Sequence, residues 1–322
     1  MKAKQLTNVA LSLSCCLAAL TACVGEETEV FPPEKQPVGI SATITGEVTT
    51  KADPDYKPAL GEKKIYMYYK NGSNTTASEK GVYTYSGDSW NAANQNTQAD
   101  QCIFWDDLVA QSGKYPFFAV SPKDLANTTT GSVETDQSSE PNFTNADLLM
   151  AYNDVNARQA QVPLTFKHML AKLTIEVKMD VISTINNTSV SVDNAIKDYT
   201  VAYTGSGVPS TAAPAIVTAT GTTKVSFAPF KDANKSTGKT VVYSVILPAQ
   251  DISSTAAKVK TTITVGSENN SYTYAPPTAT TLANGTNTIL TLTVNGTVLE
   301  LSDIKVTDWG KVTASGSITL DK

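Results

Sequence analysis

Val38-Gly39-Ile40-Ser41-Ala42-Thr43-Ile44-Thr45-Gly46-Glu47-Val48 sets apolar or small residues on every second position, with Ser, Thr and Glu among those between. A period of two is the strand period, so one face is buried and the other is polar. Fully extended, the stretch would reach ~36 Å at about 3.3 Å per residue. A breaker-rich loop follows, Thr49-Thr50-Lys51-Ala52-Asp53-Pro54-Asp55, with a lysine at its centre. The last segment of the chain repeats the alternation in Val312, Ala314, Gly316, Ile318 and Leu320. Two similar amphipathic strands therefore stand near opposite ends of one chain.

Between them the composition is that of a β protein. The chain has 322 residues, one histidine and a net charge of -5. Thr, Ser, Asn, Val and Tyr are plentiful and charge is sparse, which predicts an all-β fold. The length suits one large or two medium domains and supports a core without disulfides. The mild negative charge argues against a nucleic-acid partner.

The first residues read as a leader. Met1-Lys2-Ala3-Lys4 is basic, and Leu11 to Leu20 is apolar but too short to remain as a bilayer span. Leu20-Thr21-Ala22-Cys23 looks like a bacterial lipobox, in which residues 1–22 are removed and Cys23 is acylated. Cys15 and Cys16 would leave with the leader. The acidic run Glu26-Glu27-Thr28-Glu29 resembles a surface-export signal of Bacteroidales-type lipoproteins and equally reads as a solvated tether. Acyl chains on Cys23 would hold the protein on an outer-membrane lipid surface, each buried methylene contributing about 0.8 kcal/mol. Residues 23–37 then form an acidic, proline-rich spacer.

Two β domains are expected beyond it, over 38–182 and 183–322. In the first, Lys63–Tyr69, Gly81–Tyr85, Cys102–Trp105 and Tyr115–Val120 read as strands, with turns at Asn71-Gly72 and Ser86-Gly87-Asp88. Pro116 makes the last of these an edge strand or a strand start. Asn127 to Asn145 reads as a long loop and Asp147–Tyr152 as a further stretch. Val162 to Met179 closes the domain, with a helical or irregular crossover over His168–Leu173. In the second, strands are expected at Tyr199–Tyr203, Ile216–Ala219, Lys224–Phe227, Thr240–Leu247, Lys258–Val265 and Asn287–Val294. Two more follow at Thr297–Leu301 and Ile304–Trp309. Regular turn signals between short strands point to a β-sandwich.

The order of these segments carries a resemblance. Tyr- and Trp-rich strands are followed by Asp147-Leu148-Leu149-Met150-Ala151 and then by Leu164-Thr165-Phe166-Lys167-His168-Met169-Leu170-Ala171-Lys172-Leu173. Later come Val242-Tyr243-Ser244-Val245-Ile246-Leu247-Pro248-Ala249-Gln250 and the Trp-containing Ile304–Trp309. Together with the lipobox this resembles the fimbrillin family of Bacteroidales, the subunits of type V pili, over nearly the whole chain. The resemblance implies two transthyretin-like Greek-key β-sandwich domains in tandem, lipoprotein export, outer-membrane display and polymerisation by strand exchange. It implies a trypsin-like protease that cuts after the first strand, usually at arginine. This chain has its single arginine at Arg158, so Lys51 stands where the cut would fall, with Lys57 in reserve. The displaced strand would carry Val38, Ile40, Ala42, Ile44 and Val48. The donor from a neighbouring subunit would carry Val312, Ala314, Ile318 and Leu320, unless that tail is simply the last strand of its own domain, as in a tip subunit. The partners so implied are other fimbrial subunits, the membrane lipid and the protease, with adhesion as the outcome. The other reading is a non-polymerising surface lipoprotein or tip adhesin that binds a glycan or host protein.

Catalytic chemistry finds little support. A triad needs a base beside a nucleophile, and His168 lies within an apolar block that reads as packing. Cys102 reads as a small buried hydrophobe without a disulfide partner. No Cys/His metal spacing and no phosphate-binding glycine loop is present, so no cofactor or metal is expected. Asp53, Asp55, Asp106 and Asp107 lack the ligand count of a calcium loop and read as solvated carboxylates. Tyr66, Tyr68, Tyr69, Tyr83, Tyr85 and Trp90 read as strand packing rather than a sugar platform.

Overall fold

Runs rich in threonine, valine and tyrosine, alternating in polarity, fit a pleated half-buried surface, and the chain assembles them into an all-β molecule. The computed structural model describes residues 35–45, 64–69, 71, 79–92, 102–125, 129–179, 188–202, 216–236, 238–252, 262–267, 270–276, 280–295 and 298–309. The elements begin with β1 (Gly39–Ile44), β2 (Lys64–Tyr69), β3 (Glu79–Ser86), β4 (Ser89–Ala92), β5 (Tyr115–Ser121) and β6 (Thr130–Ser132). Helix α1 (Glu140–Ala146) precedes β7 (Leu149–Val155), β8 (Gln161–His168), β9 (Ala171–Met179), β10 (Thr188–Ile196), β11 (Asp198–Ala202) and β12 (Ile216–Ala219). Then come β13 (Lys224–Phe227), β14 (Phe230–Lys231), β15 (Thr240–Leu247), β16 (Gln250–Asp251) and β17 (Thr262–Ser267). Last are β18 (Asn270–Tyr274), β19 (Thr281–Leu282), β20 (Thr286–Asn295) and β21 (Val298–Asp308).

Seven strands close on themselves in the order β1-β4-β3-β2-β5-β7-β8, which leaves this sheet no free edge. Alternation fills the interior: Ile65, Met67 and Tyr69 of β2 meet Ile40, Trp90, Trp105, Phe117 and Phe166. The opposite faces of the same wall are buried too. Tyr68, Phe118, Val120 and Met150 belong to a second core. That double burial accounts for the unbroken apolar run Phe117-Phe118-Ala119-Val120 in β5. Pro116 is the second residue of β5, and β5 lies between β2 and β7, so the proline marks a strand start and not an edge. The β3–β4 hairpin turns on Gly87 and Asp88, whose φ angles of 59° and 62° are the left-handed pair a two-residue turn requires.

The second core lies among a five-stranded sheet (β14-β15-β9-β20-β21), a four-stranded sheet (β13-β10-β17-β18) and a three-stranded sheet (β12-β11-β6). Leu173, Ile175 and Val177 of β9 pack there with Val245, Leu247, Leu290, Leu292, Val192 and Ile263. β9 pairs antiparallel with β15 and parallel with β20, both strands that the sequence reading assigns to the second domain. Sheet membership thus changes between His168 and Ala171.

Four local expectations are corrected. Cys102–Trp105 is not a strand: Phe104 makes a lone bridge to Pro37, and Trp105 opens a 310 turn over Trp105–Asp107. The loop expected over 127–145 contains β6 and α1, whose N-cap Ser139 accepts from the Asn142 amide and whose first turn holds Pro141. The crossover at 168–173 is only Met169–Leu170, because β8 runs to His168 and β9 starts at Ala171. The two strands expected at 297–309 are one, β21, broken only by a register shift between Thr291 and Leu292 of its partner.

Candidate functional site

β1 buries Ile40, Ala42 and Ile44, and Val38 just before it, each no more than 6% exposed, while Gly39, Ser41 and Thr43 face outward. On one side it runs parallel to β8 in unbroken register, from Gly39 opposite Gln161 to Ile44 opposite Phe166. The Thr45 amide extends that ladder to the Phe166 carbonyl at 2.8 Å. On the other side its pairing is brief: Ile40 stands opposite Trp90 of β4. β4 is only four residues long, so Ala42 and Ile44 lie beyond that partner.

The chain leading into β1 is held by separate contacts. The Val38 amide donates to the Ile103 carbonyl at 2.8 Å and the Trp105 amide to the Gln36 carbonyl at 2.9 Å. These bonds occupy the backbone of 103–105 and explain why it does not join a sheet as a strand. The buried Tyr83 hydroxyl donates to the Val38 carbonyl at 2.7 Å, and burial pushes its phenol far above the usual range. Asp106 accepts from the Gln36 amide and from Arg158, both at 2.9 Å. The Gln36 hydrogen bond, then Arg158, hold its carboxyl below the usual carboxylate range. Lys35 pairs with Asp107 at 2.6 Å. The two aspartates therefore have ion-pair partners on and beside the segment entering β1.

Gly39 is required by a close approach: a Cβ there would press into the Ala160 carbonyl oxygen, a backbone atom that cannot swing away. Three buried aliphatic side chains, Val38, Ile40 and Ile44, contribute about 5–9 kcal/mol together at roughly 1.5–3 kcal/mol each. That equals a large part of a domain's net stability of about 5–15 kcal/mol. A barrel without β1 would present an apolar slot flanked by β8 and β4, the form of vacancy that another extended segment fills through backbone bonds and alternate side chains.

Cys23, Val48, Lys51, Lys57 and the tail with Val312, Ala314, Ile318 and Leu320 lie outside the described residues. The last described residue before that tail is Trp309. Its ring stacks on His168 at 4.1 Å between centroids and 4° between planes, and its amide donates to the Gly285 carbonyl at 2.8 Å. His168 Nδ1 lies 3.0 Å from both oxygens of Asp147, and all three side chains are buried. This cluster joins the end of β8 to the end of β21, a juxtaposition that no local pattern announced. Cys102 is a buried free thiol, pushed up by burial. Tyr69, Tyr83, Tyr85 and Trp90 are likewise buried in the barrel. Among the described residues no group of His, Cys, Asp and Glu has the arrangement of a metal site, and no helix is long and apolar enough to cross a membrane.

The family model described as fimbrillin-like matches residues 50–309. No curated protein matches the chain. Among solved structures, a candidate cell adhesion protein from Bacteroides ovatus aligns over 85% of this chain and 98% of its own, with 18% identity and a TM-score of 0.58. A candidate cell adhesion protein from Bacteroides uniformis aligns over 85% and 99%, with 22% identity and a TM-score of 0.57. At such identities the likeness is one of fold.

Proposed function

The chain belongs to the fimbrillin-like family, and from that premise we propose that it is a structural subunit of a cell-surface fimbria serving adhesion. In this reading it is exported as a lipoprotein through Cys23 and held on the outer membrane. A trypsin-like protease cuts after Lys51, which frees the subunit from its lipid and from β1 together. The tail of another fimbrial subunit, with Val312, Ala314, Ile318 and Leu320 facing inward, fills the slot. Small residues at Ala314 and Gly316 match Ala42 and Gly46 of the strand that leaves. The two separate hydrophobic cores support the companion proposal of two transthyretin-like sandwich domains in tandem. Membership in a fimbrial family fits a structural role better than a catalytic one.

The observation that carries this reading is the seating of β1: it is deeply buried, yet paired at length with β8 alone. Its loss would leave one continuous slot rather than a scattered set of holes. The experiment is limited trypsin digestion of the purified precursor. A cut at Lys51 followed by ladders of multimers on unheated gels is expected. Lys51→Ala should leave the protein membrane-bound and unassembled, and deletion of 310–322 should abolish the ladders. A cut precursor that stays monomeric would instead favour the non-polymerising surface lipoprotein or tip adhesin.

A further inference from the structure

A cleft of about 510 Å³ opens beside the barrel wall, away from the β1 slot. Its volume is within the ~300–1,000 Å³ of small-molecule sites. Four pieces of chain line it: the start of β2 with Lys64 and Tyr66, the turn after β5 with Lys123, the segment carrying Glu134 and Asp136, and α1 with Asn142 and Asn145.

The walls are held from behind. Gln137, fully buried, donates from Nε2 to the Ile246 carbonyl at 2.9 Å and accepts from the Ile246 amide at 2.8 Å. Its own amide donates to the Ala228 carbonyl at 2.9 Å, and the Ala228 amide donates to the Thr135 carbonyl at 2.9 Å. The segment bearing Glu134 and Asp136 is thus fastened to β15 and to the end of β13. α1 is steadied by the stacking of Phe143 on Phe230 at 5.3 Å. Asn142 and Asn145, three apart, lie on one face of α1. A backbone fastened in this way need not be ordered when a ligand binds.

The chemistry of the lining selects the ligand. Lys123 and Glu134 pair at 3.2 Å, and Lys64 and Asp136 add one charge of each sign to the lining, so the cleft has no net charge with which to hold a phosphate or a carboxylate. Asp136 already accepts from Ser138 through one oxygen, and its other oxygen remains available. The side chains of Lys64, Asn142 and Asn145 make no hydrogen bond or ion pair among the described residues. Ammonium and amide groups donate, carboxylate and amide oxygens accept, and the Tyr66 hydroxyl does both. A ligand dense in hydroxyls, each both donor and acceptor, answers that mixture; an apolar or anionic one does not. We propose that this cleft binds a neutral saccharide of about disaccharide size, with Asn142, Asn145, Asp136 and Lys64 making the polar contacts.

The proposal rests on the adhesion part of the functional reading and is independent of subunit assembly. It is tested on the full, uncut chain by saturation-transfer NMR with lactose, chitobiose and mannobiose as probes, beside sialyllactose and glucuronic acid. Transfer to at least one neutral disaccharide is expected. In Asn142→Ala/Asn145→Ala and in Asp136→Asn, affinity should fall about tenfold, the loss that removing one or two hydrogen bonds gives, with the melting temperature kept. Lys178→Ala, exposed on β9, should bind as the parent does. Transfer to none of the probes, transfer to the acidic sugars alone, or undiminished binding in the cleft variants would overturn the assignment. Because the uncut chain is used, failure here leaves the Lys51 digestion result untouched, and failure of that digestion leaves this one untouched.

Discussion

β1 and β21 are both strands of alternating sequence, yet they sit in the molecule in opposite ways. β1 is six residues long and buries every second side chain. β21 is eleven residues long and buries one of them, Leu299. It pairs with β20 on one side, and among the described residues no strand covers its other edge. Val298, Leu301, Ile304 and Val306 are 37–58% exposed. Length and backbone pairing therefore do not measure what a strand contributes. β1 does more with fewer residues because its side chains enter a closed barrel, whereas β21 is an edge strand whose side chains are mostly exposed.

The sharpest way to break this contrast is at Ile40. Ile40→Ala removes a side chain packed against the barrel core and should cost about 2–5 kcal/mol, read as a lower urea midpoint. An effect under 1 kcal/mol would mean that β1 is only laid against the barrel. Gly39→Ala comes next, at about 1–3 kcal/mol, since the new methyl must push β1 away from Ala160; thermal melting gives the measure. Tyr83→Phe should cost about 1–2 kcal/mol by leaving the Val38 carbonyl without its donor, again in urea, with the barrel volume nearly kept.

Acid should produce a smaller, local change. Asp106 has a folded-state pKa held below its unfolded value, near 3.9 by rough reference. Such a group adds stability above the unfolded value and loses it as pH falls through the folded one. Hydrogen exchange at the Gln36 amide, relative to that at Val38, should therefore quicken below about pH 4. In Asp106→Asn the acid step should vanish. The smallest effect belongs to the other strand. Ile304→Ala and Val306→Ala should shift the urea midpoint by no more than about 0.5 kcal/mol, as exposed positions do. A larger loss would show that the outer face of β21 is covered in solution.

Parts of this fold were legible residue by residue. Alternation in Val38–Val48 marked β1, Ser86-Gly87-Asp88 marked the β3–β4 turn, and the order of motifs pointed to the family. Ser139-Glu140-Pro141 at the start of α1 was a readable helix start that the surrounding polar composition masked. Other features had no local signal. Cys102–Trp105 has strand composition, but residues 36–38 occupy its backbone. His168 was read as a packing residue from its apolar neighbours; its stacking on Trp309, 141 positions away in the numbering, could not be read there. The cleft at Asn142 and Asn145 is built from four separated segments, none of which carries a motif.

Sequence by itself settled the all-β class, which side chains of β1 turn inward, and the family to which the chain belongs. These depend on the period of the backbone and on residue type, which are local. Only the tertiary structure decided that β1 lies parallel to β8, that the chain changes sheets between β8 and β9, and that β21 keeps its apolar row exposed. Each of these turns on which distant surface reaches a strand first and closes over it, and a two-residue period is the same whatever that surface is.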